Sequence, residues 1–205
     1  MTEKEKMLAG KIYDPFAEDL PKLRQAAHRL NILYNSTFDD ETEKRKEILD
    51  KLLPDRGEDA YLQGPVYFDF GINTKVGKNF FANFNFTVLD ICPVVIGDNA
   101  YIGPNVSILT PKHPLRWQDR NPYKHEAGYM TDKEYGAPVT IGDNCWIAGN
   151  VTILAGAKIG KGCVIGAGSV VAGTIPDNML AYGNPCRPVR EITEKDSIAL
   201  KKELF

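Results

Sequence analysis

The sequence has no apolar run near the roughly 20 residues that a membrane-crossing helix needs. Its opening, Met1-Thr2-Glu3-Lys4-Glu5-Lys6, is charged, so no secretion signal is expected either. Cysteine is scarce: Cys92, Cys145, Cys163 and Cys186 are scattered, with no close-spaced pair to suggest a zinc site. Without an export signal these are expected to be reduced thiols. Excess charge is lacking as well. The 25 basic and 27 acidic residues leave a formal net charge of −2, which draws the chain to neither nucleic acid nor an anionic membrane. What these absences leave is a cytoplasmic chain of 205 residues, long enough for one cored domain with a small appendage.

The chain changes character near residue 60. Before it, charged amphipathic patterns predict helices. Glu18 to Tyr34 sets Leu20, Leu23, Ala27, Leu30 and Tyr34 at helical spacing, with Asn35-Ser36 as the stop. Thr42 to Leu53 reads as another, with Ile48, Leu49, Leu52 and Leu53 on its apolar edge and Pro54 behind it. Residues 2–9 predict a short first helix closed by Gly10. Residues 1–60 thus form a helical cap too small to fold alone.

Beyond the cap the period becomes six. Ile141, Ile147, Ile153, Ile159, Ile165 and Val171 follow one another at sixth positions, and four places after the first five stand Cys145, Val151, Ala157, Cys163 and Ser169. The frame also holds upstream at Ile96, Ile102 and Ile108, and more weakly at Val76, Ala82 and Val88, slipping by two residues across Cys92-Pro93. Neither a helix nor a lone strand has this period. Hexapeptide repeats mark a parallel β-helix, in which each unit supplies a short strand and a turn. Stacked coils would lie about 4.8 Å apart with the aliphatics inside. Gly142, Gly160 and Gly166 would serve corners that need a positive φ or a tight approach. Cys145 and Cys163 fall on the small inward position and read as core residues, not nucleophiles. The β-helix is assigned to 61–190, and 191–205 to a helical C-terminal tail.

One segment, 111–138, breaks the repeat. It is rich in charge, proline and aromatics, including Trp117, Tyr123, Tyr129 and Tyr135, and reads as an unstructured insertion kept for a function. Of the three histidines, His28 lies in the second predicted helix, His125 inside the insertion, and His113 where the repeat gives way to it, just before Pro114. Position alone does not choose a catalytic one.

Five segments choose a family. Glu5-Lys6-Met7-Leu8-Ala9-Gly10-Lys11-Ile12-Tyr13, Asn79-Phe80-Phe81-Ala82-Asn83-Phe84-Asn85, Thr110-Pro111-Lys112-His113-Pro114, Val139 to Ile147 and Gly183-Asn184-Pro185-Cys186-Arg187 together span most of the chain. They resemble the maltose and galactoside O-acetyltransferases, which are hexapeptide-repeat acyltransferases. The resemblance implies a mainly β protein: a left-handed parallel β-helix with a small N-terminal α-helical cap and a long projecting loop. It implies a homotrimer with active sites between subunits, and acetyl-CoA as donor to a sugar or glycoside hydroxyl, with no metal.

The same resemblance assigns residues. His113 is the general base, a task suited to an imidazole near neutral pH. Asn83 contacts the reacting hydroxyl, and Asp14, Asp69 and Asp90 bind the acceptor. The backbone N–H of Gly149 stabilises the oxyanion. Trp146, Gly149, Ala167, Ala172 and Gly173 line the coenzyme A groove, with Arg187 and Arg190 at its phosphate end. Relatives often carry threonine-lysine at Ala172-Gly173, so one phosphate contact is absent here. A γ-type carbonic anhydrase of the same fold would need three zinc-binding histidines, and no third lies near His113 and His125. The rival readings are acetyl transfer to an antibiotic or to serine, and a non-catalytic trimeric scaffold.

Overall fold

The aliphatics spaced by six form the inward columns of three parallel sheets in a computed structural model that describes residues 1–17 and 19–204. The first face stacks Thr74–Val76, Val94–Ile96, Val139–Ile141, Lys158–Ile159 and Thr174–Ile175. The second stacks Tyr61–Leu62, Phe81–Ala82, Tyr101–Ile102, Trp146–Ile147, Val164–Ile165 and Met179–Gly183, and is closed by the antiparallel strand Cys186–Glu191. The third stacks Val66–Phe68, Phe86–Leu89, Ser107–Leu109, Thr152–Leu154 and Val170–Val171. The chain visits the faces in the order first, second, third, and the architecture is that of a β-helix.

Register explains the period. Ile96 pairs with Ile141 and Ile141 with Ile159; Ile102 pairs with Ile147 and Ile147 with Ile165; Ile108 pairs with Ile153 and Ile153 with Val171. All are buried, as are Cys145, Val151, Ala157, Cys163 and Ser169. Burial pushes the Cys145 thiol up to about 11, so it has no thiolate to offer near neutral pH.

Two corners of three successive coils turn through asparagine, and in the next coil Gly162 and Gly168 take those places. Asn79, Asn99 and Asn144 at one corner, and Asn85, Asn105 and Asn150 at the next, have positive φ. Their amides hydrogen-bond from coil to coil, as in Asn85 to Asn105 at 2.9 Å and Asn105 to Asn150 at 3.2 Å. Asparagine tolerates this conformation and here adds a bond that glycine cannot. Gly142 serves the other purpose: a Cβ there would lie 2.5 Å from the Lys161 nitrogen, so the coils could not approach.

The third-to-first corner carries the irregularities. From Phe68 to Val76, and again from Val88 to Ile96, eight residues separate inward positions instead of six; from Val171 to Ile175, four do. The segment 111–138 leaves from this same corner. It is not unstructured: Pro111–Lys112 pairs antiparallel with Tyr135–Gly136, Tyr123–Lys124 with Met130–Thr131, and Trp117–Arg120 forms a turn of helix.

Helices α1 (Glu3–Leu8), α2 (Leu20–Asn35) and α3 (Thr42–Leu52) form the N-terminal region. The predicted helix start at Glu18 lies outside the described residues. Tyr34, Leu49, Leu52 and Leu53 join the core under the first coil. Side chains of α2 also finish the backbone of the coil's edge strand. Asn31 bonds both N–H and C=O of Phe68, and Asn35 those of Val66. Without them this edge would carry unpaired polar groups under a helix. Three 3₁₀ turns between Glu194 and Leu204 make up the described tail, and Phe205 lies outside the described residues.

Candidate active site

The residues singled out from sequence divide between two corners and one face. At the third-to-first corner stand Asp69, Asp90 and His113, and the arm between α1 and α2 runs beside them. The two-residue expansions there give Phe70, Ile91 and Cys92, which bury with Met7, Tyr13 and Leu20 and so fix the arm. Tyr13 forms a backbone bridge with Glu134 of the projecting loop. Next along, Asp14 accepts from Phe16 N at 2.9 Å, from the Tyr129 hydroxyl at 2.6 Å and from the Thr131 hydroxyl. Burial raises its pKa, but the hydroxyl bonds outweigh burial and leave the carboxyl below its usual range. Asp14 therefore ties arm to loop.

His113 follows the strand Pro111–Lys112 and is half exposed, with Nε2 3.8 Å from Glu134 Oε1. Glu134 is well shielded, and its other oxygen accepts the Tyr13 hydroxyl. Asp69 pairs with His28 Nε2 at 3.2 Å, which gives that histidine a partner the sequence did not suggest. The pair forms one wall of a cleft of about 280 Å³ between α2 and the third face, with Tyr67 and Leu89 as its apolar lining. His125 stacks on Tyr129 with ring centroids 4.8 Å apart.

Asp90 is a correction. It is 0% exposed, and its carboxylate accepts from Phe70 N at 2.8 Å, Gly71 N at 3.2 Å and the Thr74 hydroxyl at 2.9 Å. Burial raises its pKa, against the pull of those three donors. The carboxylate holds the expanded corner and has no surface left for an acceptor.

Asn83 and Gly149 sit at the other relevant corner, between the second and third faces. Asn83 Oδ1 accepts from Phe84 N at 2.8 Å, the structural role open to any corner asparagine. Among the described residues its Nδ2 has no partner, so both of its N–H donors are free. Gly149 lies two coils along the same corner, beside Pro104, and no described residue accepts from its N–H. Ala167 continues the column: Gly168 N bonds Gly149 O at 3.0 Å.

Trp146 projects from the second face and is 54% exposed, in register with Tyr101, 56% exposed, and Val164. Ala172 and Gly173 sit at the narrow end of the His113 corner, with nothing within 4 Å of a Cβ built at Gly173. Arg187 lies on the closing strand opposite Tyr182. Arg190 is engaged elsewhere: both its terminal nitrogens bond Asp196, at 2.8 and 2.6 Å. Phosphate would have to compete with that carboxylate. Among the described residues no cluster of histidine, cysteine, aspartate and glutamate could hold a metal ion, and no helix is long and apolar enough to cross a membrane.

A hexapeptide coil with a helical N-terminal cap and an exposed histidine on a loop leaving the coil defines a class, the hexapeptide-repeat transferases. Comparison with known proteins narrows it. Residues 6–57 match the maltose acetyltransferase hexapeptide capping motif, and 138–173 match six repeats of the bacterial transferase hexapeptide. A galactoside O-acetyltransferase of Escherichia coli K12 is 39% identical over 94% of this chain and 90% of its own. A maltose O-acetyltransferase from Clostridium difficile 630 superposes with a TM-score of 0.87 at 47% identity, covering 95% of this chain and 99% of that one. A galactoside acetyltransferase solved in complex with coenzyme A gives 0.87 at 40% identity, covering 96% and 94%. The chain belongs to the maltose and galactoside O-acetyltransferase family of hexapeptide-repeat enzymes.

Proposed function

We propose that this protein transfers the acetyl group of acetyl-CoA to a hydroxyl of a sugar or glycoside, with His113 as general base, in sites built between neighbouring copies of the chain. One observation carries the reading. The base must reach the attacking hydroxyl and the oxyanion donor must reach the thioester oxygen, both within about 3 Å of adjacent atoms. Yet His113 stands at one corner of the coil and the free N–H of Gly149 at another. A single chain separates them by a whole face. A second copy, set with its Asn83–Gly149 corner against the His113 corner, closes the gap.

The outward side chains of the second face fit such a contact. Tyr61, Phe81, Tyr101 and Trp146 lie in register as an apolar stripe, a patch that soluble monomers seldom leave open. Leu115, 92% exposed beside His113, would reach the neighbour. A closed cyclic trimer satisfies every copy equally.

The steps follow. The sugar hydroxyl, oriented by the free amide of Asn83, attacks the thioester carbon while the imidazole takes its proton. The tetrahedral oxyanion is held by Gly149 N–H. Collapse breaks the carbon–sulfur bond, and the imidazolium returns the proton to the departing thiolate. The balance is acetyl-CoA and alcohol in, ester and free coenzyme A out, with no metal required. The coenzyme would run along the later coils past Ala167, Ala172 and Gly173 to Arg187. The cleft beside Asp69 and His28 gives the acceptor its polar and apolar walls.

The test is thiol release from acetyl-CoA against glucosides, galactosides, maltose, serine and chloramphenicol, for the wild type and His113→Ala. Sugars should accelerate release. His113→Ala should melt at the wild-type temperature and turn over at least about a hundredfold more slowly, the scale of general-base catalysis. Normal turnover in that variant removes the base, and a preference for serine or chloramphenicol removes the sugar.

A further inference from the structure

Glu134 was not singled out by any local pattern, yet three segments converge on it. Its backbone exchanges hydrogen bonds with Tyr13, whose N–H donates to Glu134 O at 3.0 Å and whose O accepts from Glu134 N at 3.4 Å. The antiparallel pairing of Lys112 with Tyr135 then places His113 across from Glu134. The side chains repeat the arrangement: the buried Tyr13 hydroxyl donates to Glu134 Oε2, and Oε1 faces His113 Nε2 at 3.8 Å.

We propose that Glu134, anchored by Tyr13, is the positioning residue of His113 in acetyl transfer. It draws the N–H of one ring nitrogen, leaves the lone pair on the other facing the acceptor, and steadies the imidazolium formed when the hydroxyl proton arrives. The proposal rests on the assignment of His113 as base. The electrostatics agree with it. Side-chain exposure is 14% for Glu134 against 47% for His113, so the carboxylate is the shielded member and the imidazole the accessible one. Burial raises the Glu134 pKa; the Tyr13 bond and the His113 charge pull it back, while Asp69 and Asp132 push it up again. The remaining groups here are His28, paired with Asp69, and Arg24, whose charge acts on Tyr13. Among the described residues His113 is the one basic side chain within ion-pair distance of Glu134. A buried carboxylate with one hydroxyl donor gains most from a neighbour that becomes positive during turnover.

The alternative is a strut that merely clamps arm to loop, and the test separates the two. Glu134→Gln still accepts from Tyr13 but carries no charge. In the full-length protein with acetyl-CoA and the best sugar acceptor, its kcat should fall at least about tenfold at a near-normal KM. Glu134→Asp should recover part of the rate, and Glu134→Gln in a His113→Ala background should cost nothing further. Unchanged kcat in Glu134→Gln, with His113→Ala inactive, would reduce Glu134 to a strut. Activity persisting in His113→Ala would instead remove the base assignment beneath it. Should Glu134→Gln not fold, Tyr13→Phe, which keeps the charge but frees the carboxylate, should lower kcat; unchanged kcat there overturns the proposal.

Discussion

Two aspartates of the His113 corner, 21 residues apart in sequence, have opposite environments. Asp69 lies at the cleft in contact with His28, whereas Asp90 is sealed beneath the corner with donors on both oxygens. Replacing Asp90 with alanine leaves the Phe70 and Gly71 N–H groups and the Thr74 hydroxyl unpaired, at about 1–3 kcal/mol for each buried group so stranded. A lower melting temperature with near-normal sugar KM is expected in Asp90→Ala. A raised sugar KM at full stability would restore it to the acceptor site. The sequence could not make the distinction. Both residues follow a strand of the third face, and only the bulged path of the corner decides which carboxylate turns inward. Cys145 and Cys163 were legible because the six-residue frame specifies the inward position, whatever residue fills it.

At the scale of elements, the repeat is readable wherever its corners are uniform. Ile141 to Val171 follows the frame without error because one inward column of each face passes through it. The first coil, Tyr61–Phe68, escapes the frame: the eight-residue step to Val76 breaks the period, and phenylalanine replaces the aliphatic. The order inside 111–138 was invisible for a related reason. Its strands are two residues long, too short for any period to register, and they are fixed by partners across the loop and by Tyr13. Asparagine corners offer a sharp test of the coil. Asn105 has a φ of 58° and bonds both neighbouring coils. Asn105→Ala keeps a Cβ in the left-handed region, at about 1–2 kcal/mol relative to glycine, without the short polar side chain that lets asparagine tolerate it. Asn105→Gly accepts that backbone and loses only the amide bonds. Thermal melting should rank wild type above Gly above Ala, and an alanine variant as stable as glycine would contradict the conformational role.

Across the whole molecule, a tapered coil sets the groups proposed for catalysis on separated corners. The corner that starts wide under the helical arm and narrows toward Ile175 holds His113, proposed as the base, with Glu134 and the cleft beside Asp69. The corner one face away holds the free Asn83 amide and the free Gly149 N–H, and an apolar stripe covers the face before it. Each set is incomplete alone. Family resemblance in the sequence named most members of both sets, but their division between corners emerges only once the strands are placed in register. If assembly is part of the mechanism, as proposed, mutants defective on opposite corners should rescue one another.

That rescue is the most direct measurement of the account. His113→Ala and Asn83→Ala, each nearly inactive alone, are co-expressed in equal amounts and assayed for thiol release with acetyl-CoA and a sugar. If each site takes its histidine from one copy and its asparagine from the next, random closed rings regain about a quarter of wild-type activity per chain, the chance that both members are intact. Activity of the mixture no higher than that of the two variants assayed separately would place both residues in one chain's site and contradict the shared one.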